Sequence, residues 1–336
     1  MKKTKLYFAL FGFLILPLSE SYSQTLQTIQ EANAFINDAL FYSDKFITPA
    51  TDGVVYQSSS AWVTSPKKKK LWDVTFGVNA NLFFVPNKDK DFQIKNSDFS
   101  FFEIENASTA RVPTANGGLG QNYLVGQLAG QEVRIKAPNG VRQDVIFYPH
   151  LSAGVSIWYG TEVLVKYAPK TNLKHGDFKV YGFGLKHNID QYFKSLEAKK
   201  IHISGLLAYS KSDMNFDFID SNSNFGSIGI NRISAMVDTY QFQVNASKEF
   251  KKFELMTGII ANSSDFEYKL SGDIGIIESI FPLQSTLNSR LKEIQQTKTN
   301  VMGEIAGRYQ FSKIFVQTTV AFGKFVNSNV SVQYEF

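Results

Sequence analysis

Beginning at Trp72 the chain alternates between large apolar residues and small or polar ones. Trp72, Val74, Phe76, Val78, Ala80, Leu82 and Phe84 fall on one face, and Asp73, Thr75, Gly77, Asn79 and Asn81 on the other. A period of two marks an extended strand whose faces meet different surroundings. The pattern returns with Leu151, Ala153, Val155 and Ile157 and, after Tyr159 and Gly160, with Val163, Val165 and Tyr167, which reads as a hairpin. It recurs over 177–187, 200–210, 234–249, 253–271, 297–311, 314–323 and 326–336. In 177–187 the register is ambiguous, because Tyr181, Phe183 and Leu185 share one face while Phe178 and Val180 lie on the other.

Ten strands are readable in this way, and 54–63 and 133–147 are candidates for more. The expected fold is all-β, a transmembrane antiparallel barrel of about 10–14 strands, since an apolar outer face alternating with a polar lumen produces this period. Strands at 72–85, 234–249 and 297–311 exceed the usual soluble length of about 5–6 residues and suit a tilted span of about 9–11. An even count puts both termini in the periplasm, with short turns at Tyr159 and Gly160, at 249–252 and at Ser312 and Lys313, and longer outer connections at 220–233 and 272–296. The connection 188–199 breaks that rule, and its Ile189, Tyr192, Phe193 and Leu196 suggest a helical turn against the barrel end. The stretch 86–131 has no strong period and reads as a large outer loop or an inward-folded lid.

Ahead of the strands, Leu26, Ile29, Ala32, Ile36 and Leu40 recur at helical spacing, with Thr28 and Glu31 placed as a capping box. Residues 24–45 therefore read as a short amphipathic helix that plugs the lumen or rests at its periplasmic mouth. Before it, Lys2, Lys3 and Lys5 precede an apolar run over 6–18 and then Ser21-Tyr22-Ser23, the layout of a cleaved export signal. The expected organisation is a signal peptide over 1–23, a helix and plug segment over 24–70, and an outer-membrane barrel over 71–336.

Composition changes this picture little. The absence of cysteine removes disulfides, thiolate metal sites and Cys nucleophiles. Thirty Phe and 15 Tyr among 336 residues suit the aromatic girdles at the two lipid boundaries of a barrel. The net charge of +5 is spread along the chain apart from the lysines at 67–70, so nucleic acid is not an expected partner. That lysine run, after Pro66, reads as a solvated turn.

The segment 148–193 resembles the characteristic stretch of uncharacterised outer-membrane barrels allied to the long-chain fatty acid transporters (FadL-like). Gly160-Thr161-Glu162-Val163, Lys166-Tyr167-Ala168-Pro169 and the run from Gly182 to His187 carry the likeness. The resemblance implies a monomeric barrel with an N-terminal plug and passive uptake of small hydrophobic molecules. It departs in lacking the transporters' Asn-Pro-Ala plug motif, of which only the surroundings of Asn106 to Ala110 are similar. The C-terminal strand ending on Val332, Tyr334 and Phe336 resembles the signal read by the barrel-assembly machinery.

For chemistry, Glu162, Lys166, Lys186, Glu304 and Arg308 fall on inward faces and are expected to form a lumen charge cluster. Such a cluster either sets solute preference or holds the barrel together. Within one strand Glu162 and Lys166 lie about 13 Å apart, so pairing must run across strands. The four histidines have no metal-ligand spacing, and no cofactor is expected. Enzyme activity is not expected either; a lipid hydrolase built on His202 and Ser204 lacks an acid that the sequence can tie to them. The remaining alternative is a closed barrel that acts structurally or through its outer loops. The expected location is the Gram-negative outer membrane.

Overall fold

A computed structural model describes residues 18–217, 222–223, 226–227, 230–273 and 282–336. Most of the expected export signal, and part of the two longer connections, lie outside the described residues.

Ten strands close into one antiparallel barrel. In chain order they are β1 (Val74–Phe84), β2 (Val145–Trp158), β3 (Thr161–Leu173), β4 (Gly176–Asn188), β5 (Ile201–Asp217), β6 (Arg232–Phe250), β7 (Phe253–Ser271), β8 (Thr297–Phe311), β9 (Ile314–Phe322) and β10 (Val326–Glu335). Each pairs with its neighbours in sequence, and β1 closes the ring by pairing with both β2 and β10. Every readable alternation is thus a strand. The near end of the barrel, where β1 starts and β10 finishes, is turned by Tyr159 and Gly160, by Lys251 and Lys252, and by Ser312 and Lys313. The connection 189–200 forms a 3-10 turn (Asp190–Tyr192) and a short helix, α2 (Lys194–Ala198), as the spacing of its apolar residues predicts.

The wall is lopsided. β1, β9 and β10 have 11, 9 and 10 residues, whereas β6 and β7 have 19 each and rise well past them at the far end. Along the shared lower part, Phe76, Val78, Phe183, Leu207, Phe242, Ile259, Val301 and Val332 point outward and are exposed.

The interior has two tiers. The lower tier is polar, with Asn79, Asn81, Gln241, Gln243, Asn245, Gln317, Asn329 and Gln333 all buried. The upper tier is apolar, with Phe178, Val180, Met214, Phe216, Ile233, Val237, Phe266 and Leu270 buried in one cluster. This change resolves the ambiguity of 177–187. Tyr181, Phe183 and Leu185 face outward, while Phe178 and Val180 face an interior that is dry at that height.

What fills the interior is helix α1, Leu18–Ser59, 42 residues long. It runs some fourteen residues beyond the expected end near Lys45, passing through Pro49. Proline in a helix interior costs a hydrogen bond and about 3 kcal/mol in isolation, but Phe46, Ile47, Ala50, Val54 and Val55 around it are all buried. Packing therefore overrides propensity, and residues 54–59 belong to the helix rather than to an eleventh strand. The other candidate strand, 133–147, is divided. Its first part closes a small sheet of Glu103–Ile104, Tyr123–Leu128 and Gln131–Lys136, and its last part is the start of β2.

The stretch 86–131 folds as a shell over the far end, pairing Asp91–Lys95 with Thr109–Pro113 beside that small sheet. Gly117 is required where the chain crosses Lys90, since a Cβ there would lie 2.0 Å from the Lys90 carbonyl oxygen. Asp38 of α1 fastens the shell by accepting the backbone N–H groups of Ser100, Phe101 and Phe102 at 2.9, 2.7 and 2.9 Å. Phe35 packs edge-on against Phe101 at 5.3 Å, and Glu31 accepts the Ala129 N–H at 2.8 Å. The helix thus descends from the far end into the lumen, and the chain continues through 60–70 to the near end. The even strand count puts both barrel ends on one side, as expected, but the N-terminal segment starts its course on the other.

Candidate functional site: a sealed lumen

A ten-stranded barrel is little wider than the eight-stranded kind whose side chains fill it. It leaves room for roughly one helix or one extended strand of chain. Here that room is taken by the last turn of α1 and the tail behind it. A helix ends with carbonyls that have no partner in the helix, and the wall supplies donors to them. Tyr148 donates its hydroxyl to Gln57 O at 2.7 Å, and Lys166 donates to Ser58 O at 3.1 Å and Ser60 O at 2.5 Å. A cation at the negative end of the helix dipole is favourable on its own account.

Beyond the helix the wall holds Ala61, Val63, Ser65 and Pro66. Glu304 accepts the Ala61 N–H at 2.8 Å, Gln317 donates to Val63 O at 3.1 Å, Lys186 to Ser65 O at 2.7 Å, and Asn188 to Pro66 O at 2.9 Å. Asn262 donates to the Ser59 hydroxyl at 3.0 Å, and Asn327 to the Ser60 hydroxyl. The polar face read as a wet lumen is therefore spent on a piece of the chain's own backbone.

The run from Gly182 to His187 gains a physical meaning. Gly182, Gly184 and Lys186 share one inward row of β4, and the Trp62 ring lies on the two glycines. A Cβ at Gly182 would sit 2.9 Å from that ring, and one at Gly184 3.3 Å from it. Trp62 donates its ring N–H to Ser58 O at 2.8 Å, and the Lys166 ammonium stands 4.7 Å from the ring centroid. The row thus forms a groove cut to the tail, a slot for the indole followed by a donor for Ser65.

All five expected lumen charges are buried, but they do different work. Glu162 and Lys186 face each other across β3 and β4 and form an ion pair at 2.5 Å. Arg308 donates to Glu335 at 2.6 Å and stands 3.7 Å from Glu254 on the adjacent strand. Lys166 and Glu304 instead bind tail backbone. What joins the two pairs is Lys69, 3.0 Å from Glu162 and 3.6 Å from Glu335. The result is a chain of alternating charge, Lys186, Glu162, Lys69, Glu335, Arg308 and Glu254, ending where Ser65 donates to Glu254 at 2.8 Å.

Sequence reasoning missed Lys69, Glu254 and Glu335. Lys69 was hidden in a run read as a solvated turn; that reading fits Lys68 and Lys70, which are exposed, but the Lys69 side chain is only 8% exposed. The one available signal was that Glu254 and Glu335 fall on the inward faces of β7 and β10, like the inward charges that were recognised.

His202 does have an acid, which spacing could not find. Its Nδ1 lies 3.0 Å from the Asp190 carboxylate, on the far side of α2, and Asp190 also accepts the Ile203 N–H at 2.8 Å. Among the described residues the buried Ser204 hydroxyl has no hydrogen-bond partner, and His202 Nε2 has only the Glu249 carboxylate, 3.8 Å away. Among the described residues no three His, Asp or Glu side chains gather as a metal cage. Val332, Tyr334 and Phe336 lie on the outer face of β10, with the Tyr334 and Phe336 rings 4.6 Å apart.

Comparison with known proteins yields barrels. The translocator domain of the autotransporter NalP from Neisseria meningitidis aligns over 88% of this chain and 99% of its own, at 8% identity and a TM-score of 0.41. The toluene transporter TbuX from Ralstonia pickettii aligns over 80% and 90%, at 8% identity and a TM-score of 0.30. The outer membrane channel DcaP of Acinetobacter baumannii aligns over 80% and 99%, at 8% identity and a TM-score of 0.22. No curated protein matches the sequence. The whole chain, residues 1–336, matches one family, described as a family of unknown function, and the protein accordingly belongs to that family, DUF6588.

Proposed function

We propose that the protein is an outer-membrane barrel permanently sealed by its own N-terminal segment, which serves as a structural or interaction protein through the folded shell at its far end. The near end then faces the periplasm and the shell faces outward. The exposed apolar belt on the lower strands supports the membrane reading, since a water-soluble surface rarely carries so large a contiguous apolar area. Residues 1–23 act as the export signal, and Val332, Tyr334 and Phe336 are read by the assembly machinery. The observation that carries the sealed reading is the series of wall hydrogen bonds to Gln57, Ser58, Ala61, Val63, Ser65 and Pro66.

The test is solute flux. Proteoliposomes holding the full-length protein should not swell in small sugars, and those holding a protein lacking residues 24–70 should. Swelling with the intact protein would refute the sealed reading.

Uptake of small hydrophobic molecules, implied by the likeness to fatty acid transporters, is the second reading. It draws on an apolar trough of about 850 Å³ on the outer face, lined by Phe183, Leu185, Leu207, Tyr240, Phe242 and Val301. It needs either a lateral path through that trough or displacement of the tail. A lipid hydrolase on His202 and Asp190 is the third, and phospholipid turnover lost in His202→Ala would favour it.

A further inference from the structure

The near end carries a feature that sealing the lumen does not use. Between the tail and the β6–β7 turn lies a cleft of about 230 Å³. Its carboxylates are already engaged. Glu249 pairs with Lys67 at 2.6 Å, Glu254 and Glu335 with Arg308, and Asp73 accepts the Lys70 backbone N–H at 2.9 Å. Four more cations line the same cleft, Lys68, Lys70, Lys251 and Lys252, and among the described residues none has a carboxylate within ion-pair distance. With Lys67, Lys69 and Arg308 the cleft is lined by seven cations against the four carboxylates Asp73, Glu249, Glu254 and Glu335, a surplus of positive charge.

One of these lysines sits where chain geometry does not favour it. Lys251 has a φ of 58°, in the left-handed region that tight turns normally give to Gly or Asn. A lysine there costs about 1 kcal/mol against glycine. Beside the turn, Phe250 and Phe253 are exposed on the outer face and Trp72 projects from the start of β1, so the cleft opens at the level of an aromatic border. A cationic hollow next to apolar side chains fits a group that is anionic at one end and greasy at the other.

We propose that this cleft binds a phosphate-bearing anion, in the setting of the cell the phosphodiester headgroup of an anionic phospholipid in the periplasmic leaflet. The lipid as source rests on the outer-membrane reading; the phosphate chemistry does not. Lys68, Lys70, Lys251 and Lys252 surround the phosphate as point charges, and the acyl chains lie along Phe253 and Phe250. Attraction of this kind grows with each lysine brought near an anionic headgroup and is weakened by salt.

The experiment uses the full-length protein in a zwitterionic detergent, with binding read by titration calorimetry. Dihexanoyl phosphatidylglycerol is titrated against dihexanoyl phosphatidylcholine, and inorganic phosphate is added as competitor. Phosphatidylglycerol should bind about tenfold tighter or more, and the variant Lys68→Gln/Lys70→Gln/Lys251→Gln/Lys252→Gln should lose that preference. All four lysines are exposed, so the variant should keep the heat-modifiable gel migration of a folded barrel. A far-end control, Lys88→Gln/Lys136→Gln, should bind like the natural protein. Competition by phosphate alone would support the site with a free anion as its source, and failure to compete would support the lipid. Equal affinity for the two lipids with no binding of phosphate, or a preference that survives in the folded fourfold variant, would overturn the proposal. If the natural protein shows no heat-modifiable migration, the barrel reading fails instead, and the phosphate titration still decides the site.

Discussion

Replacing Lys186 by methionine leaves the buried Glu162 carboxylate without its nearest cation and Ser65 O without its donor. The two side chains are 2% and 3% exposed, so water does not take over. Removing one partner of a buried ion pair costs about 3–5 kcal/mol, most of it the penalty of an uncompensated charge. Lys69 remains 3.0 Å from Glu162, which puts the expected loss near the lower bound, about 3 kcal/mol. The double variant Lys186→Met/Glu162→Leu removes the orphaned charge as well and should regain about half of that. The assay is urea unfolding of the detergent-solubilised barrel, followed by heat-modifiable migration and by tryptophan emission. A single variant within about 0.5 kcal/mol of the natural protein, or a double variant less stable than the single, would refute the claim that this pair is desolvated.

Three further outcomes are expected. Gly184→Leu places a side chain where the Trp62 ring lies and should expel it, seen as a red shift in emission and as solute flux through proteoliposomes; an unchanged spectrum would mean that the indole does not sit on β4. Asp38→Ala strips three backbone N–H groups of their acceptor and should cost about 3 kcal/mol, read as faster hydrogen exchange at residues 100–102 and easier proteolysis within 85–144; unaltered protection there would remove Asp38 as the fastening. An epitope inserted after Gln27 should be reached by antibody on intact cells, because α1 descends from the far end; labelling only after permeabilisation would reverse the direction given to the helix.

The wall was legible in the sequence because one physical rule acts at every second residue. Along the lower wall a side chain facing outward is apolar whatever its neighbours do, so strands such as β6 and β8 announce themselves there without knowledge of their partners. The inward residues obey no such rule. Phe178 and Val180 confuse the period of β4 because the interior turns from polar to dry partway up. The end of α1 was misplaced because local propensity stops at Pro49, whereas burial of Phe46, Ile47 and Val54 carries the helix on to Ser59. The lumen residues Glu162, Lys166, Lys186, Glu304 and Arg308 were recognisable as inward charges, but their partners were not. Lys69 lies 93 positions from Glu162, and Asp190 meets His202 only through the fold of 189–200. Contacts made by closing a ring leave no local trace.

The course of the tail has a consequence for how the molecule is built. Residues 57–66 lie inside the ring, while above them the chain widens into a helix bound to two small sheets and below them it joins β1 without a break. Once α1 and the sheets above it are folded, such a thread no longer fits through a finished cylinder. The arrangement suits a cylinder that closes around a thread already lying along its axis. The groups that grip it come from β2, β3, β4, β7, β8, β9 and β10, so each arriving hairpin can take hold before the ring is complete. The plug is in this sense a mandrel, and the barrel is wound on it.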